Sequence, residues 1–137
     1  MKGHNIGNQM MNNKIALFLT ENEFVNEIKE NEKLVNNFGE MTKIFRHGCF
    51  FNKKMIQIIE KLGYYLVLGN INTFDTFIKC NLLIKFHILF KLKSGSIIIL
   101  HDIQSNIELL DSVIPKILSN GYNFDKISNL VKIKKIF

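Results

Sequence analysis

The segment Ser96-Ile97-Ile98-Ile99-Leu100 constrains this chain more than any other. Successive side chains of a strand point to opposite faces, so a β-branched run of this kind is apolar on both sides. A strand of that type has to be covered on both faces, as in a parallel sheet with helices outside it. The rest of the chain alternates helical and extended segments in the way such a sheet requires. Thr20 and Glu23 form a capping box ahead of Phe24, Val25, Ile28, Leu34, Val35 and Phe38, which recur at helical spacing until Gly39. After a short extended piece, Lys43 to Arg46, Asn52 caps a second helix with Met55, Ile58, Ile59 and Leu62 as its buried stripe and Gly63 as its stop.

Tyr64 to Leu68 reads as a buried strand, Asn81 to Leu92 as a third helix and Asn106 to Asn120 as a fourth. Pro115 predicts a kink or break in the fourth helix, and Gly121 its end. Tyr122 to Ile127 reads as a last strand, and Ser128 as the start of a short helix. The 137 residues hold no repeat, linker or low-complexity tract, so the reading is one α/β domain spanning 1–137. Pattern alone leaves an open sheet and a barrel both standing. In either, chemistry sits at the C-terminal ends of the strands.

The apolar fraction of 47% excludes a disordered chain. The most apolar stretch, Leu82 to Leu92, is broken by Lys85, His87 and Lys91, and the first residues lack the apolar segment of a secretory signal. The expectation is therefore no membrane partner and, by default, a cytoplasmic chain. Cys49 and Cys80 match no metal spacing and read as buried thiols. The net charge of +6 comes from dispersed lysines, with Lys132, Lys134 and Lys135 as the only tight cluster. A solvated surface explains them better than nucleic acid, which is not an expected partner.

Three polar groups fall at strand ends. Arg46 is the chain's only arginine; a planar bidentate fork and a surface salt bridge explain it equally well. His101 and Asp102 end the isoleucine strand, where a histidine more often just closes a sheet than reacts. Asp75 lies in Asn70-Ile71-Asn72-Thr73-Phe74-Asp75, where an ordinary turn also accounts for it. His87, among Phe86, Ile88 and Leu89, reads as part of a helix face.

Taken in order, several segments resemble the NodB-type polysaccharide deacetylases of carbohydrate esterase family 4. Gly3-His4-Asn5-Ile6-Gly7-Asn8 resembles the segment leading to their metal-binding histidines, and Phe45-Arg46-His47-Gly48 resembles their Phe-Arg-Pro motif. Asn72-Thr73-Phe74-Asp75 and Leu100-His101-Asp102 resemble two later motifs, and Leu109 to Leu130 resembles the closing helix and Gly-Tyr turn. The resemblance implies a partial (β/α) barrel, parallel strands with outer helices, its first strand or strands missing. It also implies hydrolysis of N-acetyl groups on chitin- or peptidoglycan-type sugars by a metal-activated water, zinc being the usual ion. By the same resemblance His101 is the acid toward the departing amine, Asp75 tunes it, Arg46 orients the base and Leu100 lines the acetyl pocket.

The departures from the family pattern bear on activity. No Asp-Asp motif precedes Gly3, and the metal positions read Gln9 and Asn13, amides that bind zinc poorly compared with imidazole or carboxylate. His47 stands where the family has proline. The expectation is a truncated or pseudoenzyme form with no cofactor of its own, inactive alone, with an N-acetylated polysaccharide as partner and self-association through an open sheet edge. The alternative is a non-catalytic carbohydrate-binding or interaction module.

Overall fold

The structure, a computed structural model, describes residues 4–12, 14–39, 41–46 and 52–134, with side chains to 130. Two compact units divide it. One comprises the chain to Val67 together with the segment from Lys126, the other Leu68–Asp125.

In the first unit, helix α1 (Glu21–Asn36) starts at the anticipated capping box: the Thr20 side chain accepts from the Glu23 main-chain N–H, and the Glu23 carboxylate accepts from the Thr20 N–H. Strand β1 (Ile44–Phe45) pairs in parallel with β2 (Tyr65–Leu66), and Asn8 adds a parallel bridge to Phe45. Helix α2 (Lys53–Lys61) connects β1 to β2 and is capped by Asn52, whose Oδ1 accepts from the Met55 N–H at 2.9 Å. The core gathers Phe24 and Ile28 from α1, Met55 and Ile59 from α2, Phe45 from β1 and Tyr64 just before β2. Phe45 lies edge-on to both Phe24 and Tyr64, with ring centroids 5.9 and 6.3 Å apart.

In the second unit, β3 (Ile71–Asn72) pairs in parallel with β4 (Ile98–Ile99). Helices α3 (Asn81–Lys91) and α4 (Ser105–Ser119) pack together: Ile84 and Ile88 of α3 share a core with Ile71 and with Leu109, Val113 and Ile117 of α4. The spacing of four residues puts each set on one helix face. Full burial of each such side chain stabilises the fold by about 1.5–3 kcal/mol.

Parallel pairing thus holds in both sheets, but each described strand is only two residues long and each sheet has two strands. Of the extended stretch Tyr64–Leu68 only Tyr65–Leu66 pairs; the chain then passes Gly69, bends at Asn70 and enters β3, a strand not anticipated. Gly69 makes this passage possible, because a Cβ there would lie 2.3 Å from Ile99 Cγ1.

Two other expectations are corrected. Tyr122 to Ile127 is not a strand: Gly121 turns the chain with φ +85°, and the Tyr122 hydroxyl bonds to the Leu92 carbonyl at 3.4 Å. Tyr122 packs on the core of the second unit, and α5 (Ile127–Lys134) begins at the end of that stretch. Nor does Pro115 break α4, which runs through it. Pro115 lies on the exposed side, away from the Leu109–Val113–Ile117 stripe, so the lost N–H bond falls where water can satisfy the freed carbonyl. Cys80 is exposed, as the residue preceding α3, and not a buried thiol; Cys49 lies outside the described residues.

Candidate functional site

The chain leaves β3 through a tight turn. Asn72 Oδ1 accepts from the Phe74 N–H at 3.1 Å, and Phe74 takes φ +52°, a left-handed conformation uncommon for a bulky residue. The turn exposes Phe74 and buries its neighbours Thr73 and Asp75 on one side. The first unit repeats the device, with Asn8 Oδ1 accepting from the Met10 N–H at 2.9 Å and Met10 at φ +74°.

The buried side of the turn holds a carboxylate with four donors. Asp75 is 1% exposed. Its Oδ1 lies 2.8 Å from His101 Nδ1 and 2.9 Å from the Thr73 hydroxyl, whose single proton is shared with the Ile99 carbonyl at 2.8 Å. Its Oδ2 accepts from the His101 main-chain N–H at 2.8 Å and from Asn106 Nδ2 at 2.6 Å. β4 delivers His101 by ending two residues earlier. The carboxylate then takes up a main-chain N–H that no neighbouring strand needs. Burial alone would push the Asp75 carboxyl up. The bonds from His101, Asn106 and Thr73 outweigh it and hold the group well below the usual carboxylate range.

An ionised carboxylate only accepts, so His101 carries its proton on Nδ1 and turns Nε2 away from Asp75. The His101 side chain is 42% exposed, which leaves the ring open to a proton donor or acceptor from solvent. Asn106, near the start of α4, clamps the arrangement: its amide N–H₂ donates both to Asp75 Oδ2 and to the His101 carbonyl, the latter at 2.7 Å. Its own Oδ1 is buried without a hydrogen-bond partner among the described residues. Turning the amide over would aim that oxygen at two other oxygens, so the orientation is forced by charge.

Asp75, Leu100 and His101 share the second unit, whereas Arg46 follows β1 in the first. Leu100 is half-buried against the core of its unit. The Arg46 main-chain N–H donates to the Asn8 carbonyl at 2.9 Å. His87 Nε2 donates to the Asn72 carbonyl at 3.0 Å, a helix-face role. Neither Asn106 nor Thr73 was singled out from the sequence. Asn106 looked like the first residue of a helix, and its signal was an amide five residues after the histidine.

The segment at the expected metal positions has a different organiser. Glu27, buried on α1, accepts from the Asn12 N–H at 2.8 Å, from Asn12 Nδ2 at 3.0 Å and from Lys14 Nζ at 2.9 Å. Lys14, helped by Asn12, holds the Glu27 carboxyl below its ordinary range against the opposing effect of burial. Gln9 is exposed, and Asn13 lies outside the described residues. Among the described residues no three His, Cys, Asp or Glu side chains lie close enough to hold a metal ion. Asp75 is a poor ligand in any case, since its acceptor positions are taken by four donors. Gln9, as a neutral amide, is a weaker zinc donor than imidazole or carboxylate. A cavity of about 350 Å³ lined by Lys93, Ser96, Ile98, Tyr122 and neighbours lies at the other end of β4 from His101 and takes no part in this network.

The histidine–carboxylate pair at the ends of two paired parallel strands can be compared with known proteins. No family model matches the chain. It is 26% identical over 141 residues to a peptidoglycan-N-acetylglucosamine deacetylase of Bacillus cereus, covering 97% of this chain and 66% of that protein. It is 25% identical to an uncharacterised protein of Bacillus subtilis, covering 94% of this chain and 41% of that one. A solved peptidoglycan N-acetylglucosamine deacetylase superposes with a TM-score of 0.86 at 22% identity, over 93% of this chain and 63% of that one. The wild-type carbohydrate esterase family 4 pseudoenzyme of Bacillus anthracis gives 0.84 at 18% identity, over 90% and 45%. The chain has the polysaccharide deacetylase fold. This deacetylase-like chain spans between two fifths and two thirds of the relatives it matches. No helix among its described residues is long and apolar enough to cross a membrane.

Proposed function

We propose that this chain is a polysaccharide deacetylase-like protein that keeps the acid side of the family's chemistry and does not hydrolyse N-acetyl groups by itself. The observation that carries this reading is the Asp75–His101 pair: a buried, ionised carboxylate fixes Nδ1–H, and the half-exposed ring is left with one nitrogen for proton transfer. In this reading Nε2, the ring nitrogen turned away from Asp75, is the one that serves the departing amine. Asn106 holds both partners in register. Leu100, one residue before the acid, lines the acetyl pocket in this reading, and Arg46, which follows β1 in the first unit, keeps the base-orienting role that the family likeness implies.

Gln9 and Asn13, together with the saturated Asp75, support the absence of a working metal centre. An acid alone accelerates such a reaction by only about 10²–10⁴-fold, too little for amide hydrolysis without an activated water. An N-acetylated polysaccharide is the proposed partner, on the likeness to the Bacillus cereus protein. Equilibrium dialysis against zinc followed by metal analysis tests the reading. No stoichiometric uptake is expected at micromolar zinc, and a stoichiometric site would overturn it.

A further inference from the structure

Helix α3 is apolar on two sides. At about 100° per residue, Ile84 and Ile88 point into the core of the second unit, while Leu82, Leu83, Phe86 and Phe90 fall within an arc of about 100° on the opposite side. Those four are 59%, 61%, 61% and 90% exposed, and Phe77 in the turn leading into the helix is 84% exposed. A surface helix ordinarily turns polar residues outward, so a second apolar face of this size marks a contact with something outside the unit.

Charge decides what that something is. Between Asp75 and Asp102 the sequence has four lysines, Lys79, Lys85, Lys91 and Lys93, and no acidic residue. On the helix, Lys85 and Lys91 fall on the two seams between the apolar arcs, one on each side. Long basic side chains flanking an apolar stripe can lay their stems along it and hold their ammonium groups at the level of anionic headgroups. A second copy is disfavoured, because symmetric pairing would set lysine rim against lysine rim. A polysaccharide is disfavoured as well, since the face presents no side-chain hydrogen-bonding group.

We propose that the outer face of α3 docks on an anionic lipid surface, with Phe86 and Phe90 at the acyl boundary and Lys85 and Lys91 at the headgroups. This is peripheral docking, and the hydropathy that argues against a spanning helix does not bear on it. It stands independently of the reading of Asp75 and His101.

Vesicle flotation of the full chain tests it, comparing phosphatidylglycerol–phosphatidylcholine mixtures with pure phosphatidylcholine at about 0.1 M salt. Binding is expected to the mixed vesicles and to be at least tenfold weaker to the neutral ones, by the order of ~1 kcal/mol per lysine. Phe86→Gln and Phe90→Gln should each weaken binding by about tenfold or more. Lys85→Gln with Lys91→Gln should remove most of the preference for anionic vesicles and leave the weak neutral binding. All four positions lie off the core, so far-UV circular dichroism should be unchanged in every variant. Failure to float with anionic vesicles, or equal flotation of the phenylalanine variants, would overturn the proposal. So would a dimer in solution that the same phenylalanine substitutions break, which would assign the face to a second copy.

Discussion

Asp75 holds His101 twice, with Oδ1 2.8 Å from the ring Nδ1 and Oδ2 2.8 Å from the main-chain nitrogen. The two bonds separate what the side chains contribute. His101→Ala removes the ring bond and leaves the other three donors on the carboxylate, so a loss of about 1 kcal/mol is expected. Asp75→Ala strands the His101 N–H and one Asn106 N–H in a buried place and should cost about 2–4 kcal/mol. Urea unfolding of the two variants checks the order. A larger loss for His101→Ala would contradict it.

The same carboxylate makes stability depend on acid. Its folded pKa is lowered, so the unfolded chain, with a carboxyl pKa of about 3.9, binds the proton more readily. Its contribution is therefore fully present above about pH 4 and is lost as the pH falls through the lower folded value. Asp75→Asn should flatten the fall in unfolding free energy between about pH 5 and 2. Glu27 and Glu32, also lowered, leave a residual slope of the same sign. An acid limb as steep as in the unsubstituted protein would show that Asp75 is not ionised in the fold.

Asn106→Asp reverses that dependence. It sets a second carboxylate at the 2.6 Å now spanned by an amide N–H, and two such groups cannot both be ionised there. One folded pKa rises, so the variant should be more stable near pH 4.5 than near pH 7.5, whereas the Asp75 contribution in the unsubstituted chain is the same at both. Thermal unfolding at the two pH values gives the sign directly.

Much of this architecture can be read from the residues, for local reasons. The Thr20–Glu23 box and the Asn52 cap each depend on neighbours in sequence and are present where expected, whereas only Ile98–Ile99 of the isoleucine run pairs, and it is half-buried instead of covered on both faces. The Tyr122–Ile127 stretch has strand-like composition, but a strand needs a partner edge, and Tyr122 instead spends its ring on the core of its unit. Asp75 and His101 could be named from the family likeness. Asn106 is harder to name, because its role exists only once β3, β4 and α4 bring Asp75 to His101 and Asn106, 26 and 31 residues further on. Glu27 carries a sequence signal of its own: it lies three residues after Phe24, on the apolar face of α1, where a charge needs partners.

Gly69 is the tightest point between β2 and β3. A methyl group there would sit 2.3 Å from Ile99 Cγ1 and 2.4 Å from Cδ1, so Ile99 must move in the strand that carries His101. Gly69→Ala should destabilise the protein by about 1–3 kcal/mol, and Ile99→Ala in the same chain should recover part of that loss. A double-mutant cycle by urea unfolding checks both numbers, and purely additive effects would contradict the contact.

Acetate release from N-acetylated oligosaccharides, of chitin and of peptidoglycan type, tests the account most directly when it is measured with and without added zinc. Release at the level of buffer alone is expected in both conditions, for the unsubstituted chain and for His101→Ala alike. Zinc-dependent release that His101→Ala abolishes would contradict it, and would mean that the metal is held by groups other than Gln9 and Asn13.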